Sequence, residues 1–239
     1  MVIKKGGFKN GEYKKRGEYH KKLDPHWSYY PTYLAKKKFV LSTLEKEPRD
    51  SKILDMGCGE GVFLGELISR GFRNVQGIDL NYCSNLVKRG DILATGFPEK
   101  EFDIILLLDV IEHLSFSDQE KALEEIKRIL KDEGKLIISI PNLAHLYSRI
   151  SFLLKGTLKR TANVKKHPGD RPIKEYLNLL RTAGFQIKKR KGLFPTYPVL
   201  YNLLILFPAR TLWLYNFLNK IAAYPNFCFL NILICSKKS

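Results

Sequence analysis

Cysteine is scarce in this chain of 239 residues: the four present, at 58, 83, 228 and 235, form no C-x-x-C pair and no regular framework. That excludes a zinc knuckle and a disulfide scaffold, and it fits a reducing compartment. An apolar opening stretch is also missing. Met1 to Lys22 is rich in lysine, glycine and tyrosine, so it does not read as a secretory signal, and a cytoplasmic location is expected. No internal repeat or long low-complexity run is present, although the first twenty or so residues have the composition of a disordered segment. Acidic side chains are few at both ends. Residues 1–50 hold 13 Lys and Arg against 6 Asp and Glu, residues 146–239 hold 17 against 2, and residues 51–145 reverse the balance with 11 against 16. The formal charge of +17 therefore sits on the flanks. Such flanks suit an anionic counterpart: a phospholipid surface, a phosphorylated or carboxylated substrate, or nucleic acid. A lysine-rich solubilising surface would give the same counts.

What is present suffices for one α/β core. With 44% hydrophobic residues, the chain can form a single domain with extensions but not two full domains. The expected plan is a basic segment over 1–25, then one domain over 26–239 with N-terminal helices in 26–47 and a hydrophobic aromatic insertion over 193–225. Apolar residues from Tyr29 to Leu44 fall at helical spacing. Short apolar runs then alternate with amphipathic stretches, the pattern of βαβ units. Strands are predicted at Lys52 to Asp55, Val75 to Asp79, Asp91 to Leu93, Phe102 to Leu108, Lys135 to Ile140, Phe185 to Lys191 and Phe227 to Cys235. Helices are predicted at Val62 to Ser69, Asp118 to Leu130 and Ile173 to Ala183, with Asp132-Glu133-Gly134 stopping the second. A basic segment without assigned structure runs from Pro141 to Arg171.

The first strand leads into Asp55-Met56-Gly57-Cys58-Gly59-Glu60-Gly61 and then a helix. In this arrangement a ligand lies across strand ends at a helix N-terminus, and glycines let the backbone turn tightly beside it. A dinucleotide fingerprint would need glycine at 62, where Val62 stands, which argues against nicotinamide or flavin. Asp79 closes the second strand, where a carboxylate can accept both hydroxyl protons of a ribose. Asp91 follows a glycine and is placed for an adenine amino group, unless it is simply a turn acid. The run Phe102 to Leu114 supplies the fourth strand and a loop beyond it.

In order and residue type these features resemble the class I S-adenosylmethionine-dependent methyltransferases. Within them the chain is similar to the ubiquinone-biosynthesis O-methyltransferase and methionine-biosynthesis W types, whose fifth strand also ends in a Pro-Asn pair, here Pro141-Asn142 followed by His145. The resemblance covers about residues 50 to 150 well and 170 to 191 loosely. It implies a Rossmann-like, doubly wound, mostly parallel seven-stranded sheet with helices on both faces, and S-adenosylmethionine as cofactor. Residue by residue, it implies that Asp55, Met56, Gly57, Cys58, Gly59 and Gly61 hold the methionine end. Asp79 and Leu80 would hold the ribose, Asp91 and Ile92 the adenine, and Asp109 the donor from the other side.

The sulfonium is already an activated donor, so such an enzyme mainly aligns the partners and excludes water, with a general base if the acceptor is a hydroxyl. His113 is the first candidate base and His145 the second, although a histidine in a Glu-His-Leu loop serves equally as a structural hydrogen-bonding residue. His167, in a Pro-Gly turn, reads as loop. The pattern Asp109-x-x-Glu112-His113 is similar to a metal-ligand pattern of some O-methyltransferases, with His145 as a further ligand. Those patterns begin with glutamate, and no metal is assigned here. The stretch Leu193 to Leu218 is aromatic and leucine-rich but broken by prolines and Arg210, which suits an interfacial segment better than a spanning helix; a cover over an apolar acceptor pocket, a dimer face and plain core are the alternatives. The expected acceptor is a small hydrophobic or lipid-linked molecule, with peripheral contact to the inner face of an anionic membrane. The alternatives are an RNA methyltransferase, for which no Asn-Pro-Pro-Tyr-like motif or RNA-binding module speaks, and a non-catalytic cofactor-binding regulatory subunit. Oligomeric state is not legible.

Overall fold

The computed structural model describes residues 24–160 and 163–238; most of the basic segment expected over 1–25 lies outside them. Among the described residues one helix, α1 (Tyr30–Leu44), precedes β1 (Lys52–Met56), α2 (Val62–Ser69), β2 (Asn74–Asp79), β3 (Val87–Arg89) and β4 (Phe102–Leu108). There follow α3 (Phe116–Ile129), β5 (Leu130–Pro141), α4 (Leu146–Lys155), α5 (Ile173–Thr182), β6 (Phe185–Pro195), α6 (Pro198–Leu206), α7 (Leu212–Ile221) and β7 (Cys228–Lys237). The strands form one sheet in the order β3-β2-β1-β4-β5-β7-β6. All neighbours are parallel except β7, which runs antiparallel to both β5 and β6. Strand order reverses direction between β1 and β4, so their C-terminal ends open the crevice where such a sheet binds ligands.

Burial explains the apolar strands. In β4, Ile105 and Leu107 join a core with Leu54, Met56, α3 and α5, while Ile104 and Leu106 join a second core with Ile53, α1, α6 and α7. A strand covered on both faces reads as a continuous apolar run, which is why β4 has the same bounds in sequence and structure. The helix start at Ser115 is equally local: its hydroxyl accepts the Asp118 amide at 3.2 Å, and Lys127 and Arg128 sit in the last turn, where the dipole favours cations.

Four expectations are corrected. The third strand is Val87–Arg89, not Asp91 to Leu93; Asp91 begins a turn whose Oδ1 accepts the Leu93 amide at 2.9 Å. Asp132-Glu133-Gly134 do not stop α3, which already ends at Ile129; they lie in β5, where pairing with β4 jumps from Phe102 with Leu130 to Ile104 with Lys135. The basic segment after Pro141 contains α4. The aromatic stretch from Leu193 begins as the end of β6 and continues as two short helices, α6 and α7. Among the described residues no helix is long and apolar enough to cross a membrane.

Candidate active site

The C-terminal ends of β1, β2 and β4, together with α1, enclose a cleft of about 650 Å³. Period-two alternation along β1 decides what reaches it. Leu54 and Met56 face the α3–α5 core, whereas Asp55 shares its face with Ile53 and points toward α1. There Asp55 is only 4% exposed, and burial raises its carboxyl to about 7, with the Lys36 charge opposing the rise and the Asp79 charge adding to it. The same surroundings hold the Cys58 thiol far above its ordinary range, chiefly by burial and then by the charges of Asp55 and Asp79, so Cys58 is no thiolate nucleophile.

After β1 the chain turns through Gly57 and Gly59, at φ +73° and +56°. At Gly57 a Cβ would lie 2.6 Å from a Val110 methyl, so the turn packs against the loop after β4 only without a side chain. Asp79 ties this turn to the next strand: its Oδ2 accepts the Gly59 amide and its Oδ1 the Asn81 amide, each at 2.8 Å. Each oxygen keeps a second lone pair, which is the acceptor capacity a ribose diol requires. Across the cleft Asp109 stands in the left-handed region at φ +57°. Its amide donates to Ser139 Oγ at 2.8 Å, the Ser139 hydroxyl donates back to Oδ1, and Lys36 of α1 donates to Oδ2. A strained backbone braced from two elements is a common sign of a working position.

The loop beyond Asp109 is a short turn, Ile111–His113, that meets the 167–170 loop. Gly169 donates its amide to the Glu112 carbonyl at 3.1 Å, and Gln119 and Tyr176 donate to the Gly169 carbonyl at 2.8 and 2.7 Å. A Cβ at Gly169 would lie 2.1 Å from both Gln119 Nε2 and the Leu114 carbonyl, so this contact requires glycine. The result brings His167 edge-on to His113, ring centroids 4.6 Å apart. Glu112, His113 and His167 offer ligand or proton-accepting atoms within 4.8 Å of one another. Glu112 is buried, its Oε2 has no hydrogen-bond partner, and burial followed by the Asp109 charge raises its carboxyl well above the usual carboxylate range. His113 Nδ1 lies 2.9 Å from the Lys166 carbonyl, which only accepts, so Nδ1 carries the hydrogen and Nε2 bears the lone pair of the neutral ring.

Of the expected site residues, Asp55, Gly57, Cys58, Gly59, Asp79, Leu80, Asp91, Ile92, Asp109 and His113 line this cleft. Three do not. The Met56 side chain is core, for the reason of alternation given above. Gly61 starts α2 at φ +78° under Val87, where a Cβ would lie 2.8 Å from a Val87 methyl. His145 is 1% exposed and caps α4 by accepting the Ser148 amide, with Thr196 Oγ1 at 3.0 Å and the Lys159 carbonyl at 3.2 Å; burial lowers its pKa to about 4. Enclosed in this way it does not reach Glu112, and the histidine that lies beside Glu112 and His113 is His167. Residues not expected in the lining include Lys36, Trp27, Tyr29 and Tyr33 from the N-terminal region, and Phe229 and Leu230 from β7. Lys36 left one local signal: it stands four residues before Val40 and eight before Leu44, on a buried stripe where a lysine needs a carboxylate partner.

This sheet order, with a glycine turn after β1 and an acid ending β2, defines a class I methyltransferase fold, and S-adenosylmethionine is the cofactor that goes with it. The chain belongs to the family described as methyltransferase domain, whose model matches residues 26–189. It is 32% identical over 162 residues to a ubiquinone biosynthesis O-methyltransferase of Rickettsia bellii, covering 60% of this chain and 65% of that protein. To a probable S-adenosylmethionine-dependent methyltransferase of Mycolicibacterium smegmatis it is 29% identical over 152 residues, 59% and 54% of the two chains. The chain spans about half the length of the curated relatives it matches. A solved S-adenosylmethionine-dependent methyltransferase of Thermotoga maritima shares the fold at TM-score 0.58 and 18% identity, over 95% of this chain and 96% of that one.

Proposed function

We propose that the chain transfers the methyl group of S-adenosylmethionine to a hydroxyl of a small hydrophobic acceptor. The observation that carries this reading is the place of His113, which lines the cleft beside Trp27, Tyr29 and Tyr33 and gives its Nδ1 to the Lys166 carbonyl, the tautomer in which the neutral ring carries its lone pair on Nε2. When bound there, S-adenosylmethionine would supply an activated methyl on its sulfonium, with the neutral thioether as the leaving group. Asp79 would hold the ribose hydroxyls, the Gly57 to Gly59 turn would lie along the methionine end, and Asp91 and Ile92 would flank the adenine. Asp109, braced by Lys36 and Ser139, closes the donor side. His113 Nε2 takes the acceptor's hydroxyl proton as the oxygen gains the methyl, and the aromatic wall excludes water from the reacting atoms.

The test is release of S-adenosylhomocysteine from the purified protein across a panel of hydroxylated aromatic and isoprenoid-tailed acceptors, with His113→Gln alongside. Turnover on one acceptor, reduced about 10²–10⁴-fold in the variant with cofactor affinity kept, is expected. Cofactor binding without turnover on any acceptor would instead favour a regulatory subunit. A chelator arm separates two uses of the Glu112, His113 and His167 trio: full activity in EDTA leaves His113 as a base alone, and loss restored by a divalent cation assigns the trio to an ion.

A further inference from the structure

Helices α4, α6 and α7 turn the wrong side outward. The buried positions of α4 are Ser148 and Ser151, while Phe152, Leu153 and Leu154 face solvent at 54, 82 and 76% exposure. In α7 Tyr215 and Leu218 pack inward, and Trp213, Phe217 and Ile221 are exposed. A surface helix ordinarily does the opposite, and large exposed apolar patches mark interaction sites. All three helices emerge at the sheet end that carries the cleft, because β6 runs parallel to β5 through their shared antiparallel partner β7. Tyr147 of α4 packs on Tyr201 of α6 at 5.1 Å, and a chain of rings runs from Tyr201 through Phe194 and Phe229 to Tyr29 in the cleft wall.

We propose that this face docks on an anionic phospholipid bilayer, placing the mouth of the cleft at the lipid surface. The charge selects this occupant. Neither residues 146–160 nor residues 198–227 contain a single Asp or Glu, and Lys155, Lys159, Arg210 and Lys220 are exposed among the apolar side chains. A second copy of the chain would bring these cations against their like, whereas lipid phosphates neutralise them. The helices are 9 or 10 residues long and so span about 15 Å each, half of a bilayer's hydrocarbon core. They lie in the interface and do not cross it, with Trp213 at headgroup depth. The inference rests on the outward faces of the helices and stands independently of the acceptor and of His113.

The experiment is co-sedimentation of the full chain with vesicles of phosphatidylcholine alone or mixed with phosphatidylglycerol, at low and high salt. Binding to the phosphatidylglycerol vesicles, weakened by salt, is expected. The pair Leu153→Glu and Leu154→Glu, and separately Trp213→Glu, should each reduce it about tenfold or more, and Lys155→Ala with Lys159→Ala by about tenfold. Unchanged S-adenosylhomocysteine affinity shows that each variant is folded. No binding to phosphatidylglycerol vesicles, equal binding to both vesicle types, or variants that sediment like the parent would overturn the proposal. So would a concentration-dependent dimer of the parent that the Leu153 and Leu154 substitutions dissociate, since the face would then belong to a second copy.

Discussion

Asp79 offers the sharpest quantitative test of the cofactor site. Its two oxygens already accept the Gly59 and Asn81 amides at 2.8 Å, so the carboxylate arrives fixed in position and loses little freedom when a ribose diol adds two more donors. A hydrogen bond to a charged acceptor contributes about 1.5–3 kcal/mol net of the exchange with water, so two contribute roughly 3–6 kcal/mol. The Gly59 amide is only half-buried and water can satisfy it once Asp79 is truncated, which leaves the diol as the main loss. Asp79→Ala should therefore weaken S-adenosylhomocysteine binding about 100-fold or more, and Asp79→Asn, which keeps one acceptor oxygen without the charge, by about half that free energy. Titration calorimetry measures both, with far-ultraviolet circular dichroism as the check on folding. An analogue lacking one ribose hydroxyl supplies the coupling: the parent should lose affinity for it, and Asp79→Ala should be nearly indifferent. If Asp79→Ala bound the cofactor within about threefold of the parent, or if the analogue lost as much on the variant as on the parent, the ribose would not sit on this carboxylate.

Asp55 gives a stability prediction whose sign follows from its raised pKa. The native carboxyl titrates at about 7 against an ordinary 3.8, so the native state holds a proton that the unfolded chain releases. The stabilisation is complete below about pH 4 and is lost as pH rises through about 7, by at most about 4 kcal/mol over that window. Asp55→Asn removes that dependence, so its stability relative to the parent should climb between about pH 4 and 7; parallel denaturation curves across that window would refute the assignment. Gly57→Ala should lower stability by about 1–3 kcal/mol, since its Cβ would lie 2.6 Å from a Val110 methyl, and more than Gly59→Ala, where a Cβ meets nothing within 4 Å and only the left-handed backbone costs. Thermal melts of the two variants, with equal losses counting against the packing argument, decide it.

The sheet is legible because its elements announce themselves locally. β4 carries an apolar run covered on both faces, α3 combines a serine cap with a charge gradient, and glycine punctuates the turn after β1. The third strand is misplaced in the sequence because Val87–Arg89 is short, lies at the sheet edge and buries only Val87, so it leaves almost no periodic trace. Asp91 attracts the assignment instead, through a glycine and two apolar neighbours that serve a turn. Helices α4 and α6 are hidden for a different reason. A helix such as α4 that buries serines and exposes leucines reverses the usual pattern, and α6 is apolar nearly all round, so neither shows the stripe that marks a helix against a core.

The site divides along the same line between local and distant. Asp55, Asp79, Asp91 and Asp109 end strands or follow them closely, and their order is set by the strands that carry them to the sheet edge. Lys36 and His167 reach the cleft from elements 73 residues before Asp109 and 54 residues after His113, through a packing choice no local pattern encodes. His145 shows the converse. It follows strand five as a ligand or base would, yet the first free turn of α4 offers amides that its imidazole caps, and burial then keeps the ring neutral. What distinguishes the two histidines is the partner each meets. His145 spends both nitrogens on Thr196 and the Lys159 carbonyl, closing a helix and a loop, whereas His113 donates one to the Lys166 carbonyl and turns its ring toward His167 and Glu112 at the cleft. Position in the strand order therefore brings both histidines to the same end of the sheet, and burial and hydrogen bonding separate the ring enclosed in the fold from the ring that lines the cleft.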